Sequence, residues 1–208
     1  MTNQSQEIGL IGGTERRRIE IVDYDARWPE TFQRLARTIA GALGDAALRI
    51  EHIGSTSVPG LGAKPIIDIL LVVEDSRNEA AYLPKMEAIG YELRVREPDW
   101  NEHRMFRTPA KDVHVHIYSA ACPEIERNLT FRDRLRSDAR DRQLYEEKKR
   151  ELAAQPWPDM DAYAAAKTEI VERIIATARS TTAGQEADAN HVLLPSQREV
   201  VAREAHVG

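Results

Sequence analysis

The sequence predicts an α+β domain. Three observations predict it. Apolar residues alternate with period two in several short runs of the first 120 residues. After Pro123 the apolar positions recur at helical spacing instead. The chain of 208 residues, 42% hydrophobic and 30% charged, is long and apolar enough for one sizeable core. A mixed front with a helical rear on one core is the arrangement that follows.

Taken in order, residues 1–15 are polar, glycine-dotted and without period, and read as a loose leader. Residues 18–22 read as a short strand. Trp28, Phe32, Leu35, Ile39 and Leu43 then mark a helix, with Pro29 suited to its first turn and Gly44 to its end. Residues 47–53 are a strand, and 65–73, the most apolar run, a central one. Ser76 and Glu79 have capping-box spacing for a helix that Gly90 closes, with Pro84 kinking or shortening it. Residues 91–96, 104–108 and 113–118 are three further strands. Leu129 and Leu135, then Tyr145 and Leu152, then Ile170 and Ile174 lie on three helical stripes. A helix is expected at 196–204 after Pro195. The organisation is a leader at 1–15, a domain at 16–180 and an extension at 181–208, an arm suited to packing on another subunit.

Composition excludes several roles. The net charge of −5 gives no broad basic face for duplex nucleic acid. The single cysteine, Cys122, excludes an intrachain disulfide and a multi-cysteine zinc site, and it reads as a small packing residue. No apolar run reaches the ~18 residues of a membrane span, and the first residues lack a secretory pattern. A soluble cytoplasmic protein is expected, without a membrane partner.

The chemistry concentrates in residues 52–70. A strand ends in Gly54-Ser55, small and hydroxyl residues follow through Thr56 and Ser57, and an apolar strand then carries Asp68. Small residues let backbone N–H groups approach a phosphate, and hydroxyls add donors. A carboxylate on the next strand can hold a divalent metal bridging phosphate oxygens. The same residues also suit a tight loop with a buried, hydrogen-bonded Asp68, although burying that charge needs a partner. Period two places His114 and His116 on one face of their strand. If that strand neighbours the one carrying Asp68, the three form a metal or phosphate site; otherwise they are ordinary polar positions. Lys64, Arg104 and Arg107 are candidate anion-binding groups that equally suit the surface. Only one of Glu51 and His52 can point at the site. Arg132, Arg134 and Arg136 read as a salt-bridged, solvated helix face.

Three stretches carry a family resemblance: Tyr24-Asp25-Ala26-Arg27-Trp28-Pro29, the block from Arg49 to Ile69, and His114-Val115-His116. Residues 131–136, Tyr145 with Lys148 or Lys149, and Tyr163 to Lys167 extend it. Over about residues 19–175 the chain resembles the GrpB family. That resemblance implies a nucleotidyltransferase-like mixed β-sheet packed by helices, with a helical C-terminal part. Its Gly-Ser turn and strand carboxylate match Gly54, Ser55 and Asp68, which makes Asp68 the catalytic candidate; the residues themselves add Thr56, Ser57, Lys64 and Arg107 around the phosphates of a nucleotide. The metal set Asp68, His114 and His116 rests on the strand pattern, with Mg²⁺ or Mn²⁺ expected and a transition metal as the other option. Active nucleotidyltransferases hold two ions on paired carboxylates; here Leu70 stands at the second position and His114 and His116 at the third. Three functions compete: metal-dependent nucleotidyl transfer from an NTP to a small acceptor; a non-catalytic nucleotide- or phosphate-binding module, as in fusions with dephospho-CoA kinase; and a metal site on Asp68, His114 and His116 with different chemistry.

Overall fold

The computed structural model describes residues 9–14 and 18–192, with side chains as far as residue 181. The strands are β1 (Gly9–Leu10), β2 (Arg49–Ile53), β3 (Ile67–Val73), β4 (Glu92–Glu97), β5 (His103–Arg107) and β6 (Val113–Ser119). The helices are α1 (Trp28–Leu43), α2 (Leu83–Ala88), α3 (Pro123–Ser137), α4 (Ala139–Ala153), α5 (Met160–Ala165) and α6 (Thr168–Val192). The six strands form one mixed sheet in the order β1-β4-β5-β6-β3-β2. Only β3 and β6 pair in parallel; the other neighbours are antiparallel.

Period two splits β3 between two layers. Ile67, Ile69, Leu71 and Val73 pack with Phe32, Ile39 and Leu43 of α1 and Met86 of α2. Leu70 and Val72 pack on the opposite face with Tyr118 of β6 and Ile125 and Leu129 of α3. Ile69, Leu70 and Leu71 are fully buried, and each such side chain contributes about 1.5–3 kcal/mol. Asp68 is the one β3 residue that is not buried. A third apolar cluster joins Val58 and Leu61 of the loop after β2 to Leu135, Tyr145, Ile170 and Ile174. This cluster ties the helical rear to the loop that leads into β3.

Four expectations change. Residues 18–22 form a single antiparallel bridge, Val22 to Ala63, rather than a strand. The ladder's next partner is Pro65, which has no N–H to donate. The supposed leader contributes Gly9–Leu10 as an edge strand on β4. Ser76 caps no helix: its hydroxyl donates to Glu102 O at 2.8 Å and pairs with Ser119. Glu79 pairs with Arg96 and Arg104 across the sheet, so the segment is a short 3₁₀ turn before α2. The helix α6 runs through the expected boundary at 180. The expected helix at 196–204, like most of the leader, lies outside the described residues.

Candidate functional site

The parallel register of β3 and β6 sets Asp68 opposite His114 and Leu70 opposite His116. Both histidines share the face of Asp68. His114 Nδ1 lies 3.4 Å and His116 Nε2 3.9 Å from Asp68 Oδ1. One donor atom from each of the three residues lies within 4.8 Å of the other two. Donors bound to one ion at about 2.1 Å stand about 3–4 Å apart, so the spacing suits an ion. Burial alone would raise the Asp68 carboxyl, but the imidazoles beside it, His114 foremost, outweigh that and hold it below the usual carboxylate range.

The Gly54-Ser55 turn rests directly against Asp68. Gly54 has φ 67° and ψ −174°, and a Cβ built there would collide with the Asp68 carboxylate. Backbone conformation and close approach both demand glycine. The turn, the acidic strand and the histidines line one cavity of about 420 Å³. Gly54, Ser55, Thr56, Lys64, Asp68, Arg107, His114 and His116 all face it.

Other predicted residues take different roles. The Ser57 hydroxyl donates to Gly54 O at 2.6 Å, closing the loop on itself, and Ser57 lies outside the cavity. Thr56 lines the cavity, but its hydroxyl donates to Ile66 O at 3.0 Å and meets His52 Nε2 at 3.1 Å. Both hydroxyls hold the loop together. Neither Glu51 nor His52 reaches the cavity. His52 stacks on Phe32 in the α1 layer, where burial holds its pKa down to about 4. Glu51 accepts from Arg132 at 2.7 Å. Arg132 is therefore buried between β2 and α3 instead of solvated, and Arg136 donates to Ser57 O at 3.0 Å. Arg104 is no anion clamp; it is buried on Glu79. Cys122 packs beside Ile53 and Tyr118, as expected.

Sequence reading missed the far wall. Lys149 of α4 is 3% exposed; its Nζ donates to Ser55 Oγ at 3.1 Å and to Gly62 O. It also sits 4.8 Å from the Tyr145 ring, and the Tyr145 hydroxyl hydrogen-bonds Ser55. Lys64 and Lys167 both approach the Tyr163 ring, at 5.3 and 4.6 Å. Burial and neighbouring cations push Lys149 down to about 7 and Lys167 down to about 8. The signal was present: Tyr145, Lys149 and Leu152 form one buried helical stripe, with a lysine at an apolar position.

This lysine makes stability depend on pH in a defined sense. An unfolded lysine titrates near 10.4, so between about pH 7 and 10 the unfolded chain holds a proton that the folded chain has released. Stability rises with pH there, by up to about 1.4 kcal/mol per pH unit for one group. Urea unfolding at pH 7, 8 and 9 is expected to show the rise, and Lys149→Met to reduce it. An equal rise in both proteins would contradict the assignment.

With this geometry in place, the chain can be set beside known proteins. The family model described as GrpB protein matches residues 18–177. A UPF0157 protein of Halalkalibacterium halodurans is 52% identical over 163 residues, covering 78% of this chain and 84% of that protein. The crystal structure of conserved protein GrpB from Enterococcus faecalis superposes with a TM-score of 0.70 at 35% identity, covering 78% of this chain and 99% of the other. A dephospho-CoA kinase of Mycolicibacterium paratuberculosis is 31% identical over 177 residues, which is 72% of this chain but 43% of that protein. No helix among the described residues is long and apolar enough to cross a membrane.

Proposed function

The chain belongs to the GrpB family, and on that footing we propose that its cavity binds the triphosphate of a nucleotide together with one divalent ion and transfers the nucleotidyl group to a small acceptor. One observation carries this reading. Asp68 with its flanking imidazoles and the lysines Lys149 and Lys167 line a single cavity, with the Ser55 hydroxyl held by Lys149.

The donor set decides which ion fits. A pair of magnesium ions needs several carboxylates. Asp68 is the only acidic residue of β3, and the position two residues on is Leu70, fully buried under α3. Asp161 also lines the cavity but lies outside the cluster of Asp68, His114 and His116, so the residues do not fit a two-magnesium clamp. One oxygen and two imidazole donors fit a single ion, and they favour Mn²⁺, Fe²⁺ or Zn²⁺ over Mg²⁺. Once bound, such an ion would neutralise charge on the phosphate oxygens. The chain's own groups do the rest. Lys149 and Lys167 donate to the terminal phosphates and take up protons as that anion binds, and partial burial strengthens the attraction. Tyr145 and Lys149 fix the Ser55 hydroxyl. Gly54 keeps the turn close to Asp68.

A second reading is retention of a nucleotide or phosphorylated small molecule without turnover, as an accessory module. Leu70 favours it, because losing the second ion removes much of the electrostatic stabilisation that transfer requires.

Calorimetry with each NTP, in the presence of Mn²⁺ or Mg²⁺, tests both. Ion-dependent nucleotide binding followed by pyrophosphate release supports transfer. Binding without release under any acceptor supports the module. No binding of any nucleotide, with no phosphorylated ligand retained through purification, overturns both, and stoichiometric iron or zinc in the purified protein then turns attention to the trio as a metal site with other chemistry.

A further inference from the structure

Behind His116, a string of hydrogen bonds leads out through the β4–β5 hairpin. His116 Nδ1 lies 3.1 Å from His103 Nε2, and His103 Nδ1 lies 2.8 Å from Glu97 Oε2. The His103 side chain is 7% exposed. Its ring stacks on Tyr118 and on His116, with centroids 4.9 and 5.3 Å away, and Trp100 meets it edge-on. Nothing in this string belongs to the phosphate wall.

The string has a definite direction. A neutral imidazole carries one donor and one acceptor nitrogen, and a carboxylate only accepts. Glu97 therefore draws the proton of His103 onto Nδ1. His103 Nε2 is then an acceptor and takes the Nδ1–H of His116. His116 Nε2 is left with its lone pair aimed into the cavity. It faces Asp68 Oδ1 at 3.9 Å, beyond hydrogen-bond length, so in this tautomer no proton of His116 lies between the two. A cation completes such an arrangement, and a carboxylate behind a ligating histidine is a recurrent way of fixing its tautomer and basicity.

We propose that Glu97 and His103 are positioning residues that hold His116 in the tautomer whose Nε2 ligates a divalent ion. This rests on the metal part of the reading above and not on nucleotidyl transfer.

Two measurements on the full chain test it. Ring ¹⁵N–¹H correlation spectra of the metal-free protein are expected to show His116 protonated at Nδ1, and to show that preference lost in His103→Phe, which keeps an aromatic ring in the stack. Titration with Mn²⁺ or Zn²⁺ is expected to give affinity about 10- to 100-fold lower in His103→Phe and Glu97→Leu. Glu97→Gln retains an acceptor oxygen and is expected to recover most of the affinity, which a purely packing role for this side chain would not produce. Glu97 is 42% exposed, so its variants test the idea even if His103→Phe does not fold. Metal binding with His116 protonated at Nε2, or unchanged affinity in folded Glu97→Leu, overturns this proposal alone. A wild-type chain that binds neither ion overturns the metal site itself and this proposal with it.

Discussion

Gly54→Ala is expected to cost far more stability than a methyl added to any other described glycine of positive φ, and to abolish ligand binding. Two separate penalties coincide. The backbone at φ 67°, ψ −174° is a conformation that L-residues avoid, at about 1–3 kcal/mol. The added Cβ also meets the Asp68 carboxylate and Cβ, an overpacking cost of about 1–3 kcal/mol. Neither neighbour can yield cheaply, because Asp68 lies within a strand paired on both sides. The sum, about 2–6 kcal/mol, is a large part of the stability of an ordinary domain. Gly60→Ala is the control. It shares a positive φ, 78°, but its Cβ would meet nothing within 4 Å, so only the backbone cost of about 1–2 kcal/mol applies. Urea midpoints of the two variants separate the penalties. Equal losses would mean that the contact with Asp68 contributes nothing.

That contact also shows what local sequence can and cannot disclose. The Gly-Ser turn, Asp68 and the histidine pair were legible because each follows from period two or from small-residue chemistry along one segment. The one assumption needed was that the strands of Asp68 and His114 are neighbours, and β3–β6 pairing supplies it. The missing pieces come from places where pairing or burial overrides local pattern. His103 comes beside His116 only through the antiparallel registers that place β5 between β4 and β6. Arg132, in a helix full of charges, looked solvated because nothing nearby in sequence announces Glu51, 81 positions away. Ser76 and Glu79 have the spacing of a cap, yet both are engaged by β5 and its neighbours, and tertiary partners outcompete a local hydrogen bond. Lys149 differs from these. Its place on a buried stripe was readable, and a buried lysine with hydroxyl and carbonyl partners is the kind of group that marks a site.

Asp68→Asn is expected to divide the cavity into its two halves. The amide keeps the size of the side chain but removes the charge and one strong ligand atom. Divalent-ion affinity is expected to fall at least ~100-fold, more than for loss of an outer-shell partner. Lys149 keeps its place, because it is held by Ser55 and Gly62 rather than by Asp68, while Lys167 loses the nearby Asp68 charge that favours its ammonium form. Removing a negative charge from a cavity that also contains Lys64, Lys167 and Arg107 raises its positive potential. Metal-free tripolyphosphate should therefore bind the variant as well as the wild type, or several-fold tighter, while nucleotide binding no longer responds to Mn²⁺. Calorimetry with tripolyphosphate in chelator, and with nucleotide at rising Mn²⁺, reads the two halves separately. The fold is expected to survive, since the backbone of β3 is paired on both sides and the layers around it are apolar; circular dichroism checks this. If the variant instead loses tripolyphosphate in the absence of metal, Asp68 is organising the lysines, and the cavity is one coupled charge network rather than a metal wall facing an anion wall.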